Sequence, residues 1–298
     1  GVRRMAGADK VYCVEPNKLT RAGLVDTALF DKTGTITTDA LLADGVFSLT
    51  QGGEEGATVV TRYASLLDAP LSVQRVASTC HSLSRVTPQA KGAVDEGEEG
   101  KEEASRCTGD PLEMALTSSL GPQWHVASRL NGEATWTRPG SASTGVGTGV
   151  VESGMVIDRF VPIETFSFDP YLQRMTVVSA CDEAGSTSLL IATKGSPESV
   201  FKCLRGEERD DPVFKEAYFR LYNRLAGREG KRVLALASRR TPLEEKTGLS
   251  ERVSAEENLV FEGFACLTCP LRRDSRRAIQ ELRNADIRVG MVTGDSLN

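Results

Sequence analysis

The 298-residue sequence has no uninterrupted apolar run long enough to span a bilayer and no secretory leader, so it is read as a soluble globular unit. Histidine occurs only at His81 and His125. That is too few and too separated for a metal centre, and both are expected as satisfied polar positions. The seven cysteines are odd in number and scattered, as befits thiols in a reducing compartment. Cys266 and Cys269 form a lone C-x-x-C within an apolar strand; without a second pair it argues against a zinc or redox site. A net charge of -5 gives no sign of a nucleic-acid partner. The glycines of Gly145-Val146-Gly147-Thr148-Gly149 are not followed by the Gly-Lys-Ser/Thr of a phosphate loop, so residues 138–154 read as a flexible surface loop. Residues 88–106, acidic and Gly-rich around Glu96-Gly97-Glu98-Glu99, read as a disordered insertion. The remaining composition, 40% hydrophobic and 26% charged, suits a globular unit of about two domains.

What is present begins with Phe30-Asp31-Lys32-Thr33-Gly34-Thr35-Ile36-Thr37. The preceding Leu24-Val25-Asp26-Thr27-Ala28-Leu29-Phe30 is short and mostly apolar, as expected of a buried parallel strand, and Asp31 would sit at its carboxyl end. Gly34 allows a sharp backbone turn, and Thr33 and Thr35 supply donors that can cradle a phosphoryl group. The chemical reading is a carboxylate that accepts a phosphoryl group. A second strand, Arg288-Val289-Gly290-Met291-Val292, ends in Thr293-Gly294-Asp295. Placed beside the first, it would bring the Thr293 hydroxyl to the phosphoryl oxygens. The stripe Ala278, Ile279, Leu282, Ala285 predicts a helix before that strand. Most of the chain lies between these half-sites, too long and too apolar for a loop, and is expected to be an inserted domain.

These motifs resemble the phosphorylation and nucleotide-binding regions of the P-type ATPases, within the haloacid-dehalogenase-like superfamily. The resemblance implies α/β and α+β architecture: a Rossmann-like phosphorylation domain, truncated, in pieces 1–48 and 265–298, around an antiparallel sheet flanked by helices over 49–264. It implies that Asp31 is transiently phosphorylated, with Lys32, Thr33, Thr293 and Gly294 completing the catalytic set. Mg²⁺ would be held by Asp31 and the carbonyl of Thr33. Where phosphatases of the superfamily carry a second Asp, this chain has Thr33, whose hydroxyl is no general acid or base near neutral pH, so the aspartyl-phosphate should persist.

Further family motifs lie in the insertion. Thr108-Gly109-Asp110-Pro111-Leu112-Glu113 predicts a helix capped by Asp110, with Glu113 at the capping-box position; the family likeness gives Glu113 the adenine amino group. Phe168, in Phe166-Ser167-Phe168-Asp169-Pro170-Tyr171-Leu172-Gln173-Arg174-Met175, matches the aromatic that stacks on adenine, and Arg174 matches a nucleotide contact. Gln173 stands where many relatives have Lys. Lys194-Gly195-Ser196-Pro197-Glu198 supplies the ATP-site Lys194 and Gly195, followed by a helix. Arg232, at the start of a strand and after a helix with Phe214, Ala217, Leu221 and Leu225 on one face, would reach the triphosphate. Asp295 would make nucleotide or hinge contacts, and Cys269-Pro270-Leu271-Arg272 resembles the segment by which the chain re-enters the phosphorylation domain.

The stretch Val11-Tyr12-Cys13-Val14-Glu15-Pro16, a helix Val76-Ala77-Ser78-Thr79-Cys80-His81-Ser82-Leu83 and Cys269-Pro270-Leu271-Arg272 resemble the fifth P-type subfamily, its endoplasmic-reticulum branch. Gln173-Arg174-Met175 and Lys194-Gly195-Ser196-Pro197-Glu198 are closer to the endolysosomal branch. The implied whole protein is an integral membrane enzyme that uses ATP and Mg²⁺ to remove transmembrane helices from the endoplasmic reticulum membrane, with this region facing the cytosol. The resemblance puts the family's later Lys and Gly-Asp-Gly-x-Asn-Asp motif after Asn298, and its actuator and transmembrane domains outside this chain. Such a piece is expected to bind ATP without turnover. Other readings are a cation or polyamine transporter of the same subfamily, an inert nucleotide-binding module, or a metal-dependent phosphatase.

Overall fold

A computed structural model describes residues 7, 12–51, 58–86, 106–120, 125–126, 136–138, 158–183 and 186–293. Gly294, Asp295 and Ser296 lie outside the described residues, as do the expected disordered stretches except Arg106 and Arg138, each of which belongs to a short strand. The strands are β1 (Thr27–Asp31), β2 (Leu42–Gln51), β3 (Thr58–Tyr63), β4 (Ser84–Val86), β5 (Arg106–Thr108), β6 (His125–Val126), β7 (Trp136–Arg138), β8 (Asp158–Asp169), β9 (Arg174–Glu183), β10 (Ser186–Gly195), β11 (Arg232–Pro242), β12 (Val260–Thr268) and β13 (Arg288–Val292). Among the described residues no helix is long and apolar enough to cross a membrane.

The chain divides into two compact units, with changeovers after Ala40 and after Thr268. The boundaries expected at 48/49 and 264/265 therefore fall inside strands. β2 and β12 pair with each other, Leu42 opposite Thr268, and their ladder carries the crossing points outward to the strand ends.

The larger unit is a mixed α/β fold on a nine-stranded antiparallel sheet in the order β3-β2-β12-β11-β10-β9-β8-β7-β6. Both faces of its middle are buried, so central strands carry runs of consecutive apolar residues, as at 189–192 and 233–237, rather than a strict alternation with polar ones. In β10, Leu190 and Ala192 join the core on one face, and Leu189 and Ile191 the core on the other. The first face is covered by helices Leu71–Thr79 and Pro111–Ser118, the second by Pro197–Phe201 and Pro212–Asn223. The helix expected over Val76 to Leu83 ends instead at Thr79, and Cys80 caps it. On Pro212–Asn223 the buried residues are Phe214, Tyr218 and Leu221; Tyr218, fully buried, sits among Phe201, Phe261 and Phe264 and donates its hydroxyl to the Pro197 carbonyl at 2.9 Å.

The smaller unit pairs β1 with β13 in parallel, Asp31 opposite Val292, with helix Ser275–Asn284 leading into β13. On that helix Ile279 and Leu282 are half-buried, whereas Ala278 is exposed. The two pieces are stitched by Thr38 N–H donating to the Pro270 carbonyl at 2.8 Å and by Arg272 N–H and Ser275 Oγ donating to the Ile36 carbonyl at 3.1 and 2.6 Å.

Candidate functional sites

In the smaller unit Asp31 is exposed at the carboxyl end of β1, and Thr293 follows directly on the strand residue opposite it. Residues Lys32–Ile36 form a wide turn, closed by Thr37 N–H and Oγ1 donating to the Lys32 carbonyl at 3.0 and 3.2 Å. Thr33 (φ -80, ψ 127) and Gly34 (φ 76, ψ -8) adopt the central angles of a type II turn. The second of these positions is left-handed, which is why glycine belongs there. A cavity of about 390 Å³, lined by Phe30, Gly34, Thr35, Arg272, Asp274 and Ser275 among others, flanks the turn. Among the described residues no group of three or more His, Cys, Asp or Glu side chains could hold a metal. Asp31 and the Thr33 carbonyl offer two hard oxygens on one exposed turn, which fits a Mg²⁺ that takes its other ligands from phosphate and water.

In the larger unit the pleat of β10 delivers successive residues to opposite faces. Lys194 shares the face of Leu190 and Ala192, and there it meets helix Pro111–Ser118. Asp110 caps that helix, accepting from Leu112 N–H at 2.8 Å. Glu113 occupies the capping-box position, but its carboxylate is engaged elsewhere. Oε1 accepts from Lys194 Nζ at 2.8 Å, and Oε2 accepts from Ser82 N–H at 3.0 Å and Ser82 Oγ at 2.9 Å. Both members of the pair are buried, Glu113 5% and Lys194 6% exposed. Burial opposes ionisation of Glu113, yet the Lys194 ammonium and the Ser82 donors outweigh it and hold the carboxyl below its usual range. Beside the pair, burial pushes the Cys80 thiol up to about 12 and the His81 imidazole down to about 4, the latter helped by the Lys194 charge. His81 Nδ1 accepts from Leu83 N–H at 3.0 Å.

The turn between β8 and β9 holds the remaining candidates. Asp169 Oδ1 accepts from Tyr171 N–H at 2.8 Å and Leu172 N–H at 3.2 Å; these donors hold its carboxyl below the usual range. Gln173 stands at φ 51. Phe168 is 61% exposed, whereas Phe166 packs against the core. Gly195 lies opposite Arg174, so close that a Cβ there would fall 2.5 Å from Arg174 Cβ and from the Gln173 carbonyl oxygen. Arg174 turns to protein partners: Nε donates to Glu256 Oε2 at 2.7 Å and Nη1 to Ser199 Oγ at 2.8 Å.

Arg232 is exposed at the start of β11. The residue opposite Lys194 is Leu236, so Arg232 lies about 13 Å farther along that strand at the usual rise per residue. Its neighbour Lys231 is half-buried, bound to Asp44 at 3.0 Å and Glu229 at 2.7 Å and lying over the Phe47 ring. The structure thus brings Glu113 to Lys194 and Gly195 to Arg174, and leaves Arg232 apart from Lys194. Sequence reasoning misses Ser82, Arg252 and Glu256 as contributors. Ser82 belongs to the Val76–Leu83 motif, where its hydroxyl could have marked it; Arg252 and Glu256 carry no signal, being basic and acidic residues of an ordinary polar segment.

Residues 80–274 match the family model described as P-type ATPase, cytoplasmic domain N. The chain belongs to the P-type ATPases. This P-type ATPase chain is 32% identical over 305 residues to the endoplasmic reticulum transmembrane helix translocase spfA of Aspergillus fumigatus, with 96% of the chain and 20% of the relative covered. It is 28% identical over 288 residues to the endoplasmic reticulum transmembrane helix translocase of Saccharomyces cerevisiae, covering 96% and 19%. It is likewise 28% identical over 293 residues to cation-transporting ATPase 5 of Schizosaccharomyces pombe, covering 96% and 23%. The P-type chain therefore spans about a fifth of the length of these curated relatives.

Proposed function

We propose that this chain binds ATP in its larger unit and accepts the γ-phosphoryl group on Asp31, as part of a P-type ATPase of the endoplasmic reticulum that dislocates transmembrane helices, with this region in the cytosol. The smaller unit is read as the haloacid-dehalogenase-like phosphorylation domain and the larger as the nucleotide-binding domain inserted into it. The observation that carries the reading is the parallel pairing of β1 with β13, which sets Asp31 and Thr293 at neighbouring strand ends although the nine-stranded unit intervenes in sequence.

Each residue then has a chemical task. Phe168 offers an exposed ring to the nucleobase, and Glu113 and Lys194 form the polar wall against which the adenosine is fixed. Arg232, exposed on the Lys194 face, approaches the triphosphate, and Arg174 secures the hairpin next to Gly195. Asp31 attacks the γ-phosphorus as the nucleotide diphosphate leaves, so one P–O bond forms as another breaks. Lys32, the turn donors, Thr293 and Gly294 are assigned to steady the phosphoryl oxygens, and Asp295 to nucleotide or hinge contacts. Asp31 and the Thr33 carbonyl would hold Mg²⁺, which would supply charge neutralisation between the two anions. Thr33 gives no proton-transfer group for rapid hydrolysis, so the phosphoenzyme lives long enough to drive a conformational change.

The branch within the subfamily follows the translocase relatives; cargo in the cation-transporting relative differs by name, and cation or polyamine transport is the alternative. Calorimetric titration of the chain with ATP tests the nucleotide half: saturable binding weakened by Lys194→Ala and by Phe168→Ala is expected, and no binding to the folded chain would overturn it. In the full-length protein, Asp31→Asn should abolish an acid-stable, hydroxylamine-sensitive phosphoenzyme. Persistence of that species would remove Asp31 as nucleophile.

A further inference from the structure

Phe168 carries a large exposed ring on the last stretch of β8, where the β8–β9 register slips between Phe166 and Asp169. An irregular strand end is an insecure platform for a stacking contact unless something outside the strand pair holds it. The Arg252 side chain does so, alongside Ser199, whose Oγ donates to the Leu172 carbonyl within the turn. The Arg252 guanidinium, on the short helix Arg252–Ala255, donates Nη1 to the Ser167 carbonyl at 3.3 Å and Nη2 to the Arg174 carbonyl at 2.7 Å. These two carbonyls bracket the turn, one directly before Phe168 and the other at the start of β9. The third guanidinium nitrogen, Nε, donates to Glu256 Oε1 at 2.8 Å.

Glu256, 3% exposed, extends the same bracket. It accepts from Arg174 Nε at 2.7 Å and from the buried Thr176 Oγ1 at 2.8 Å, and Thr176 is hydrogen-bonded to Thr193 at 2.9 Å. A carboxylate with three donors, two of them guanidinium groups, is satisfied in a site where an unpaired charge could not be buried. The planar fork of arginine is what lets one residue hold two carbonyls and a carboxylate at once; a lysine ammonium on a flexible stem cannot keep those directions together.

We infer that Arg252, oriented by Glu256, is a positioning residue for nucleotide binding: it fixes the β8–β9 turn so that the Phe168 ring is preorganised for the nucleobase. It touches no ligand itself and acts through Phe168. The inference rests on the ATP-binding reading of this unit. Holding the ring in place before binding spares the ordering cost that a mobile turn would incur on association.

A double-mutant cycle on the 298-residue chain tests this, with dissociation constants for ATP and for adenosine measured by calorimetry. Phe168→Ala is expected to weaken ATP by roughly tenfold, within the range of base–aromatic stacking. Arg252→Ala should weaken ATP and adenosine by a similar factor, about threefold to tenfold, because coupled neighbours interact on that scale. In the Phe168→Ala background Arg252→Ala should add nothing. Arg252→Lys, which keeps the charge and loses the fork, should behave as Arg252→Ala with its unfolding midpoint preserved. Unchanged affinity in the Arg252 variants, or a double variant weakened by the product of the two single factors, would overturn the inference. So would loss of folding in both Arg252 variants, which would make the residue purely structural. Failure of the unsubstituted chain to bind ATP at all would instead remove the nucleotide-binding reading.

Discussion

Lys194 Nζ and Glu113 Oε1 meet at 2.8 Å between β10 and helix Pro111–Ser118, both side chains buried and 81 residues apart in sequence. Each charge is tolerated there because of the other. Lys194→Ala leaves Glu113 with only the Ser82 donors, and Glu113→Ala leaves a buried ammonium; either should destabilise the larger unit by about 3–5 kcal/mol. Replacing both with apolar residues, as in Lys194→Met with Glu113→Leu, should recover much of that loss. Denaturant unfolding of the three variants measures it, and ATP titration of the double variant separates stability from binding.

Acid should weaken the fold in two overlapping steps. His81 is held near 4, below its ordinary 6.5, so between those values the unfolded chain takes up a proton that the folded chain refuses. Its contribution is complete above pH 6.5 and declines as pH falls toward 4, by at most about 3 kcal/mol. The Glu113 carboxyl, also lowered, contributes stability that is lost at still lower pH. His81→Asn, which can retain an acceptor for Leu83 N–H, should flatten the dependence between pH 6.5 and 4. Unfolding free energies at about pH 7.5 and about pH 5, on either side of the ordinary imidazole value, provide the comparison.

Gly195→Ala should cost about 1–3 kcal/mol by overpacking. The new methyl would meet Arg174 Cβ and the Gln173 carbonyl, and the backbone carbonyl cannot rotate away as a side chain could. The shift should appear in the denaturation midpoint of the larger unit, and a neutral result would mean that the β9–β10 ladder relaxes locally.

Gly34→Ala differs in kind, because no atom lies within 4 Å of the added methyl. Its cost is the left-handed backbone alone, about 1–2 kcal/mol. Hydrogen exchange should accelerate in the β1–β13 unit and stay unchanged in the nine-stranded unit. Equal acceleration in both would show that the units unfold together.

Local chemistry is legible in the chain itself. Asp110-Pro111 opens a helix, Ser196-Pro197 opens another with Ser196 Oγ accepting from Ser199 N–H at 3.3 Å, and Thr33-Gly34 makes the turn after Asp31. The two strands that end at Asp31 and Thr293 are readable as strands, whereas their pairing follows from a family resemblance rather than from either segment alone. The helix over Val76 to Thr79 is readable too, but its end is not: Cys80 and Leu83 continue an apolar pattern that the packing interrupts, so the pattern overruns the true end at Thr79.

The sequence by itself determined what depends on neighbours a few residues away: caps, the glycine turn, strand parity and hence the face on which Lys194 emerges. Only the tertiary structure decided which charges meet. Glu113 could serve a helix cap or a partner elsewhere, and Arg174 could face a phosphate or a carboxylate; each choice is settled by which opposite charge is close enough to repay desolvation. For Glu113 that is Lys194 and for Arg174 it is Glu256, partners 81 and 82 residues distant that come within reach only when the sheet has formed.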